Sequence, residues 1–208
     1  MAISRGGMDL DIHNYFEEEA SGYRQRSGSF LWNWQRSREA AATNALMGDV
    51  RGHTLLDLGS GSGYYTEFFL RRGAHHVVAV DFSQSMINTL PTENVTGHVG
   101  DAAAFDTPAR FSRIVCAGLL EFVPDPSAVL ANARRLINDR GHLVCLVPPE
   151  NWAGKLYRGF HKSHGFRINL FNDEDTAAIA QATGWRIDAH RAIFPYTRVY
   201  RLFPMPLQ

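Results

Sequence analysis

The 208-residue sequence predicts one α/β domain, a three-layer sandwich in which helices cover both faces of a mostly parallel sheet. Three observations predict it. From Thr54 onward, short apolar runs alternate with helical patterns, as βαβ units do. HLVCLV after its histidine, and SRIVC after Arg113, are continuously apolar, which suits strands buried on both faces. The length suits a single core.

The elements follow in order. Residues 54–58 (TLLDL) read as the first strand, and the glycine-rich turn 59–63 leads into a helix over 64–72 that stops at Gly73. Residues 76–80 (HVVAV) form the second strand, ending at Asp81. Ser83 caps a helix over 84–90. Residues 95–99 and 112–116 are the third and fourth strands. A helix over 127–138 follows, with Val129, Leu130, Ala133, Leu136 and Ile137 on one face. Residues 139–141 read as a turn, and 142–147 as the fifth strand, halted by Pro148-Pro149. Asn172 caps a helix over 173–183, and two further strands fit 185–190 and 197–203.

The domain divides into a helical cap over 1–53, a cofactor-binding core over 54–147, a substrate lid over 148–171 and a closing helix with strands over 172–208. The cap is rich in aromatics, and helices are expected at 11–20 and 34–47. It is expected to lie over the ligand edge of the sheet.

Composition narrows the function. Hydrophobic residues make up 45% and charged residues 20%, with a formal net charge of +0. That balance gives no global basic footprint for nucleic acid or membrane. Cys116 and Cys145 both sit in apolar strands and read as buried thiols, so no metal site or disulfide is expected. No apolar stretch approaches the ~20 residues that span a bilayer. The opening MAISRGGMDLDIHNYF lacks an apolar signal core, so a cytoplasmic protein without stable membrane insertion, monomeric or homodimeric, is expected.

The chemistry-bearing signal is LLDLGSGSGYYT, residues 55–66. A strand ends in Asp57 and Leu58, and Gly59, Gly61 and Gly63 alternate with Ser60 and Ser62. In an open parallel sheet, ligands bind beyond the carboxyl ends of the strands. The glycines let the backbone approach a ligand where a Cβ would clash. A nicotinamide or flavin loop usually reads GxGxxG, whereas this one reads GxGxG. Asp81 closes the second strand and can accept from both hydroxyls of a ribose. Phe82 can stack on an adenine. After the third strand, GDAAAF places Asp101 to accept from an adenine amino group and the Ala102 amide to donate to the ring, with Phe105 beside them. After the fourth, Ala117 and Gly118 allow close approach, and Leu119, Leu120 and Phe122 can form an apolar wall.

The ordered series LLDLGSGSG, VVAVDFS, GDAAAF and SRIVCAGLLEFVPDP resembles the motifs of class I S-adenosylmethionine-dependent methyltransferases, over about residues 50–150. The resemblance implies a Rossmann-like, seven-stranded sheet whose last strand runs antiparallel. It implies methyl transfer with S-adenosylmethionine as cofactor. The Gly59–Gly63 loop would face the methionine part, Asp81 the ribose, Asp101-Ala102 the adenine, and Ala117 the cofactor amino group. YFEEEASGY resembles the lead helix of small-molecule members, making Tyr15 and Tyr23 candidate covers for the cofactor. The Asn-Pro-Pro-aromatic motif of nucleic-acid-modifying members is absent, and Glu121-Phe122 stand where many relatives carry histidine.

The basic segment from Asn151 to Phe171 contains Lys155, Arg158, Lys162, Arg167, His161 and His164, and no acid. A helix over 152–162 would put Trp152, Leu156 and Phe160 on one stripe and Lys155, Arg158 and Lys162 on another. Such a lid suits an anionic acceptor. Leu120, Trp152, Tyr157, Arg158 and Arg167 are the candidate acceptor contacts, and His161 and His164 the candidate bases. The expected function is methyl transfer to oxygen or nitrogen of a small, anionic or aromatic biosynthetic intermediate. The alternatives are a same-fold protein catalysing a non-methylating reaction such as cyclisation, and a nicotinamide-dependent oxidoreductase.

Overall fold

The computed structural model describes residues 30–163, 165 and 167–206. Helix α1 (Phe30–Met47) leads into β1 (Thr54–Leu58), α2 (Tyr64–Leu70), β2 (His76–Asp81), α3 (Gln84–Ile87), β3 (Val95–Val99) and β4 (Phe111–Ala117). The second half contains α4 (Pro126–Leu136), β5 (Ile137–Val147), α5 (Trp152–Ser163), α6 (Asp173–Ala182), β6 (Trp185–Ile193) and β7 (Thr197–Pro204).

The seven strands form one sheet in the order β3-β2-β1-β4-β5-β7-β6. Neighbours from β3 to β5 are parallel, and β7 runs antiparallel to both β5 and β6. The expected sheet is therefore present, including its reversed last strand. Strand order reverses at β1, whose chain continues to β2 on one side while β4 pairs on the other. The carboxyl ends of β1 and β4 thus flank the topological switch point, where open α/β sheets bind ligands.

Two apolar layers cover the sheet. On one face Leu56, Leu58, Ile114 and Cys116 pack with Leu130, Ala133 and Leu136 of α4 and with Trp185, whose indole N–H donates to the Leu130 carbonyl at 2.8 Å. On the other, Leu55, Val77, Val115 and Val144 meet Ala40, Leu46 and Met47 of α1 and Phe68 and Phe69 of α2. Helix starts follow the capping chemistry of the sequence. Ser83 Oγ accepts from the Met86 amide, Asp125 from the Ser127 and Ala128 amides ahead of Pro126, and Asn172 from the Asp175 amide.

Three expectations change. Helix α4 stops at Leu136, and Ile137 already pairs with Phe111. The expected turn at 139–141 is a bulge inside β5, because pairing resumes only at Arg113 with His142. The described part of the cap, α1, lies mainly across a sheet face against β5, β6 and β7, and reaches the ligand edge only through residues such as Arg36 and Glu39. Its apolar residues Ala40, Leu46 and Met47 are buried there against the sheet. The outer stripe Trp152, Leu156 and Phe160 of α5 faces away from the core, at 61%, 64% and 57% exposure. The inner arc is Ala153, Tyr157 and His161. Among the described residues, no helix is long and apolar enough to cross a membrane.

Candidate active site

The β1–α2 loop is built for close backbone approach. Gly59, Gly61 and Gly63 all take left-handed φ values, 72°, 51° and 87°. A Cβ on Gly59 would lie 2.8 Å from Leu119 Cβ, and one on Gly63 would lie 2.7 Å from Leu90. These two glycines therefore serve internal packing. Gly61 differs: a Cβ there meets nothing within 4 Å, so its Cα borders open space at the rim. Ser60 is buried beside it, and its hydroxyl finds no hydrogen-bond partner among the described residues. Open backbone next to an orphaned buried hydroxyl fits a polar ligand seated on this loop.

Two buried carboxyls brace the loop. Asp57 accepts from Thr66 Oγ1 at 2.7 Å, and burial pushes its carboxyl up to about 7 against the lowering effect of that bond. Asp81 accepts from the Gly61 amide at 2.8 Å and the Ser83 amide at 3.0 Å. The end of β2 is thereby tied to the middle of the glycine loop.

The end of β3 joins this edge through the Gly100 amide, which donates to the Asp81 carbonyl at 2.8 Å. Asp101 is exposed and accepts from the Ala103 amide at 2.8 Å, turning the chain sharply. Ala102 is buried, and Asn132 of α4 donates to its carbonyl at 2.9 Å and to that of Phe105 at 2.8 Å. The sequence reading did not find Asn132, a polar residue on the buried face of an amphipathic helix.

Beyond β4, Ala117 is half-buried and Gly118 is exposed with a φ of 70°. Leu119 packs on Gly59, joining the two rim loops, and Leu120 is buried. Glu121 is only 6% exposed. Its Oε1 lies 3.8 Å from where a Cβ on Gly118 would stand, and its Oε2 has no hydrogen-bond partner among the described residues. Burial pushes this carboxyl up to about 8; its own backbone amide opposes that and Glu39 of α1 adds to it. Asn169 clamps this loop from across the chain. Its amide donates to the Glu121 carbonyl at 2.8 Å, and its side chain to the Leu120 and Val123 carbonyls at 3.1 and 2.9 Å. Neither Glu121 nor Asn169 was a sequence candidate. An acid within the apolar run LLEFV, and a lone amide between Ile168 and Leu170, were the available signals.

Helix α5 closes over this edge. Asn151 caps it by accepting from the Gly154 amide at 2.8 Å, and Gly154 is required because a Cβ would sit 1.9 Å from the Pro149 carbonyl oxygen. His161 is buried and meets Tyr157 edge-on at 4.5 Å and Phe122 at 5.4 Å between ring centroids. Phe82, Phe122, Tyr157 and Leu170 pack around Ile168. The lid is thus joined to the chain after β2 and after β4 by rings. Arg158 is half-buried and Arg167 exposed.

The structure gathers Asp57, Gly59, Ser60, Gly61, Gly63, Asp81, Phe82, Asp101, Ala102, Ala117 and Leu120 along one edge, with Tyr157 and His161 facing it from the lid. Trp152 stands apart on the outward face, 6.3 Å from the Phe194 ring. Tyr15, Tyr23 and His164 lie outside the described residues. Among the described residues, no group of three or more His, Cys, Asp or Glu is arranged to hold a metal ion.

A family model described as a methyltransferase domain matches residues 31–190. The chain belongs to this family. It is a class I, S-adenosylmethionine-dependent methyltransferase domain. Among curated relatives of the methyltransferase, the ubiquinone biosynthesis O-methyltransferase of Alkalilimnicola ehrlichii is 32% identical over 107 residues, 47% of this chain and 42% of that protein. Its counterpart in Neisseria meningitidis is 29% identical over 102 residues, 45% and 43% of the two chains. The methyltransferase chain spans about half the length of the curated relatives it matches, or less. Solved structures share its fold more fully. Magnesium protoporphyrin IX methyltransferase from Synechocystis PCC 6803 with bound SAH superposes with a TM-score of 0.73 at 17% identity, covering 93% of this chain and 98% of that one. The DhpI-SAM-HEP complex gives 0.75 at 20% identity, covering 97% and 100%.

Proposed function

We propose that the protein transfers the methyl group of S-adenosylmethionine to an oxygen or nitrogen of a small aromatic or anionic acceptor. The observation that carries this reading is the ring cluster at the lid. Phe122, Tyr157 and His161 pack edge-on beside the loop after β4, with Phe82 against Ile168 in the same cluster. Aromatic walls favour a flat acceptor, and Arg158 and Arg167 at the margin favour a carboxylate or phosphate on it. The names of the curated relatives, O-methyltransferases of ubiquinone biosynthesis, agree with an aromatic hydroxyl acceptor.

In this reading the Gly59–Gly63 backbone and Ser60 receive the methionine part of the cofactor, Asp81 the ribose, Asp101 and Ala102 the adenine, and Ala117 flanks the amino group. Phe82 covers the adenine side. When bound, the cofactor supplies an electrophilic methyl group. Leu119 and Leu120 exclude water from the transfer point, and Tyr157 and His161 orient the acceptor ring; exclusion and alignment are the main demands of an in-line displacement.

The test is incubation with methyl-labelled S-adenosylmethionine and a panel of hydroxylated aromatic acids, amines and polymers. Label in a hydroxylated aromatic acid is the expected result. Label only in nucleic acid or protein, or cofactor consumption without any labelled product, overturns the reading.

A further inference from the structure

We propose that Glu121 is the proton acceptor of this site, held neutral in the ligand-free protein and ionised when a cationic cofactor charge arrives beside the loop after β4. The inference rests on the proposed placement of the cofactor at the β1–β4 edge.

Three structural facts carry it. The Glu121 side chain is more than nine-tenths buried directly beneath exposed Gly118, in the loop that packs on Gly59. Its Oε2 finds no donor among the described residues, although the neighbouring carbonyls of Leu120, Glu121 and Val123 are all satisfied by Asn169. A protein that places a carboxyl in an apolar run, holds its backbone on three sides and leaves its oxygen bare is presenting that oxygen to something else. Finally, the titratable group acting on this carboxyl is Glu39 from α1, and the Glu121 carboxyl in turn helps to raise the neutral buried thiols Cys116 of β4 and Cys145 of β5. Among the described residues, no cation acts on it. Burial and the Glu39 charge both disfavour a carboxylate here.

A buried carboxyl in such surroundings ionises when a fixed positive charge enters. A sulfonium is one, and it loses its charge on giving up the methyl group. The step balances. The lone pair of the acceptor oxygen forms the new O–C bond, the S–C bonding pair returns to sulfur, and the O–H proton passes to Glu121 Oε2. The cation and the carboxylate are discharged together, leaving a neutral thioether and a neutral acid. An amine acceptor gives up its N–H proton by the same route. With neither cofactor charge nor carboxylate remaining, product leaves a site that has returned to its starting protonation state.

Calorimetric titration at pH 7, in phosphate and in Tris, reads the protons exchanged on binding. S-adenosylmethionine and S-adenosylhomocysteine differ in the charge at sulfur. The wild type is expected to release close to one proton more with S-adenosylmethionine than with S-adenosylhomocysteine, and Glu121→Gln is expected to lose that excess while binding both. Its turnover is expected to fall roughly 100-fold or more, the scale of a lost general base. Equal proton exchange for the two ligands, or an excess that survives in Glu121→Gln, overturns the inference and leaves the site placement standing. Failure of the wild type to bind either ligand overturns both. Where Glu121→Gln does not fold, difference infrared spectra of the wild type decide. Loss of a protonated-carboxyl band on adding S-adenosylmethionine, but not S-adenosylhomocysteine, supports the inference, and an unchanged band overturns it.

Discussion

The two sides of the ligand edge are built on different plans. The side formed by β1, β2 and β3 is made of backbone and near-sequence partners: the Gly61 amide on Asp81, the Ser83 amide on the same carboxylate, the Gly100 amide on the Asp81 carbonyl. The side formed by the β4 loop and α5 is made of side chains brought together from afar. Asn169 reaches Leu120 across 49 positions, and Phe122 meets His161. A site for an invariant cofactor can be fixed in short local motifs, because the ligand's shape never changes. A site for one particular acceptor must be assembled from long-range contacts that alter without disturbing the first. The comparison predicts that substitutions on the first side change cofactor affinity, and those on the second change acceptor turnover or lid stability.

The largest expected effect is on the lid. Gly154→Ala forces a Cβ into the Pro149 carbonyl, which is backbone and cannot give way. A loss of roughly 2–4 kcal/mol of stability is expected, read by thermal or denaturant unfolding. Next comes Asp81→Ala, which removes a buried acceptor of two backbone amides. Cofactor affinity should fall by about 1–3 kcal/mol in calorimetry. A variant that binds as the wild type does would detach β2 from the cofactor side.

Much of the first side was legible in the sequence. The left-handed φ values of Gly59, Gly61 and Gly63 follow from residues that few others can replace. The caps at Ser83 and Asn172 were readable because a cap and its amide lie within three residues. The second side was not. Glu121 looks like any strand-end acid until the lid buries it, and Asn169 looks like a loop residue until it meets the β4 carbonyls. The bulge in β5 escaped because 139–141 has turn chemistry, while sheet pairing with Phe111 continues around it. Trp152, Leu156 and Phe160 were recognised as a stripe, but periodicity does not say which of two apolar arcs faces inward.

Asn169→Ala sharpens the comparison at smaller scale. It frees the Leu120 and Val123 carbonyls and loosens the loop that carries Glu121. Acceptor kcat/KM is expected to drop about tenfold with cofactor Kd nearly unchanged, since loss of hydrogen bonds worth about 1 kcal/mol each acts only on that side. Equal losses in both would merge the two sides.

The pH dependence separates Glu121 further. Its folded carboxyl titrates at about 8, above its ordinary value of 4.5, so folding favours the protonated form. The associated stability is present below about pH 4.5 and is lost as pH rises through about 8. Glu121→Gln should therefore gain stability relative to wild type between pH 5 and pH 9. His142 works in the opposite direction. Burial lowers its imidazole to about 4, so its contribution is full above pH 6.5 and is lost as pH falls from 6.5 toward 4. Guanidine unfolding across this range should show Glu121→Gln removing the decline between about pH 4.5 and about pH 8 while the loss from His142 below pH 6.5 stays in place.

The smallest effect is expected at Trp152→Ala, on the outward face of the lid, where stability should change by no more than about 0.5 kcal/mol.

The central claim is that the glycine loop between β1 and α2 is the cofactor cradle, with Gly61 at its open point. Calorimetric titration of Gly61→Val with S-adenosylhomocysteine tests it most directly. The space within 4 Å of the added Cβ is open, although the φ of 51° strains any side chain, so the fold should persist in circular dichroism with some loss of stability. Binding should be abolished, because the branched side chain takes the ligand's place at the rim. A folded Gly61→Val that binds with wild-type affinity would contradict the account.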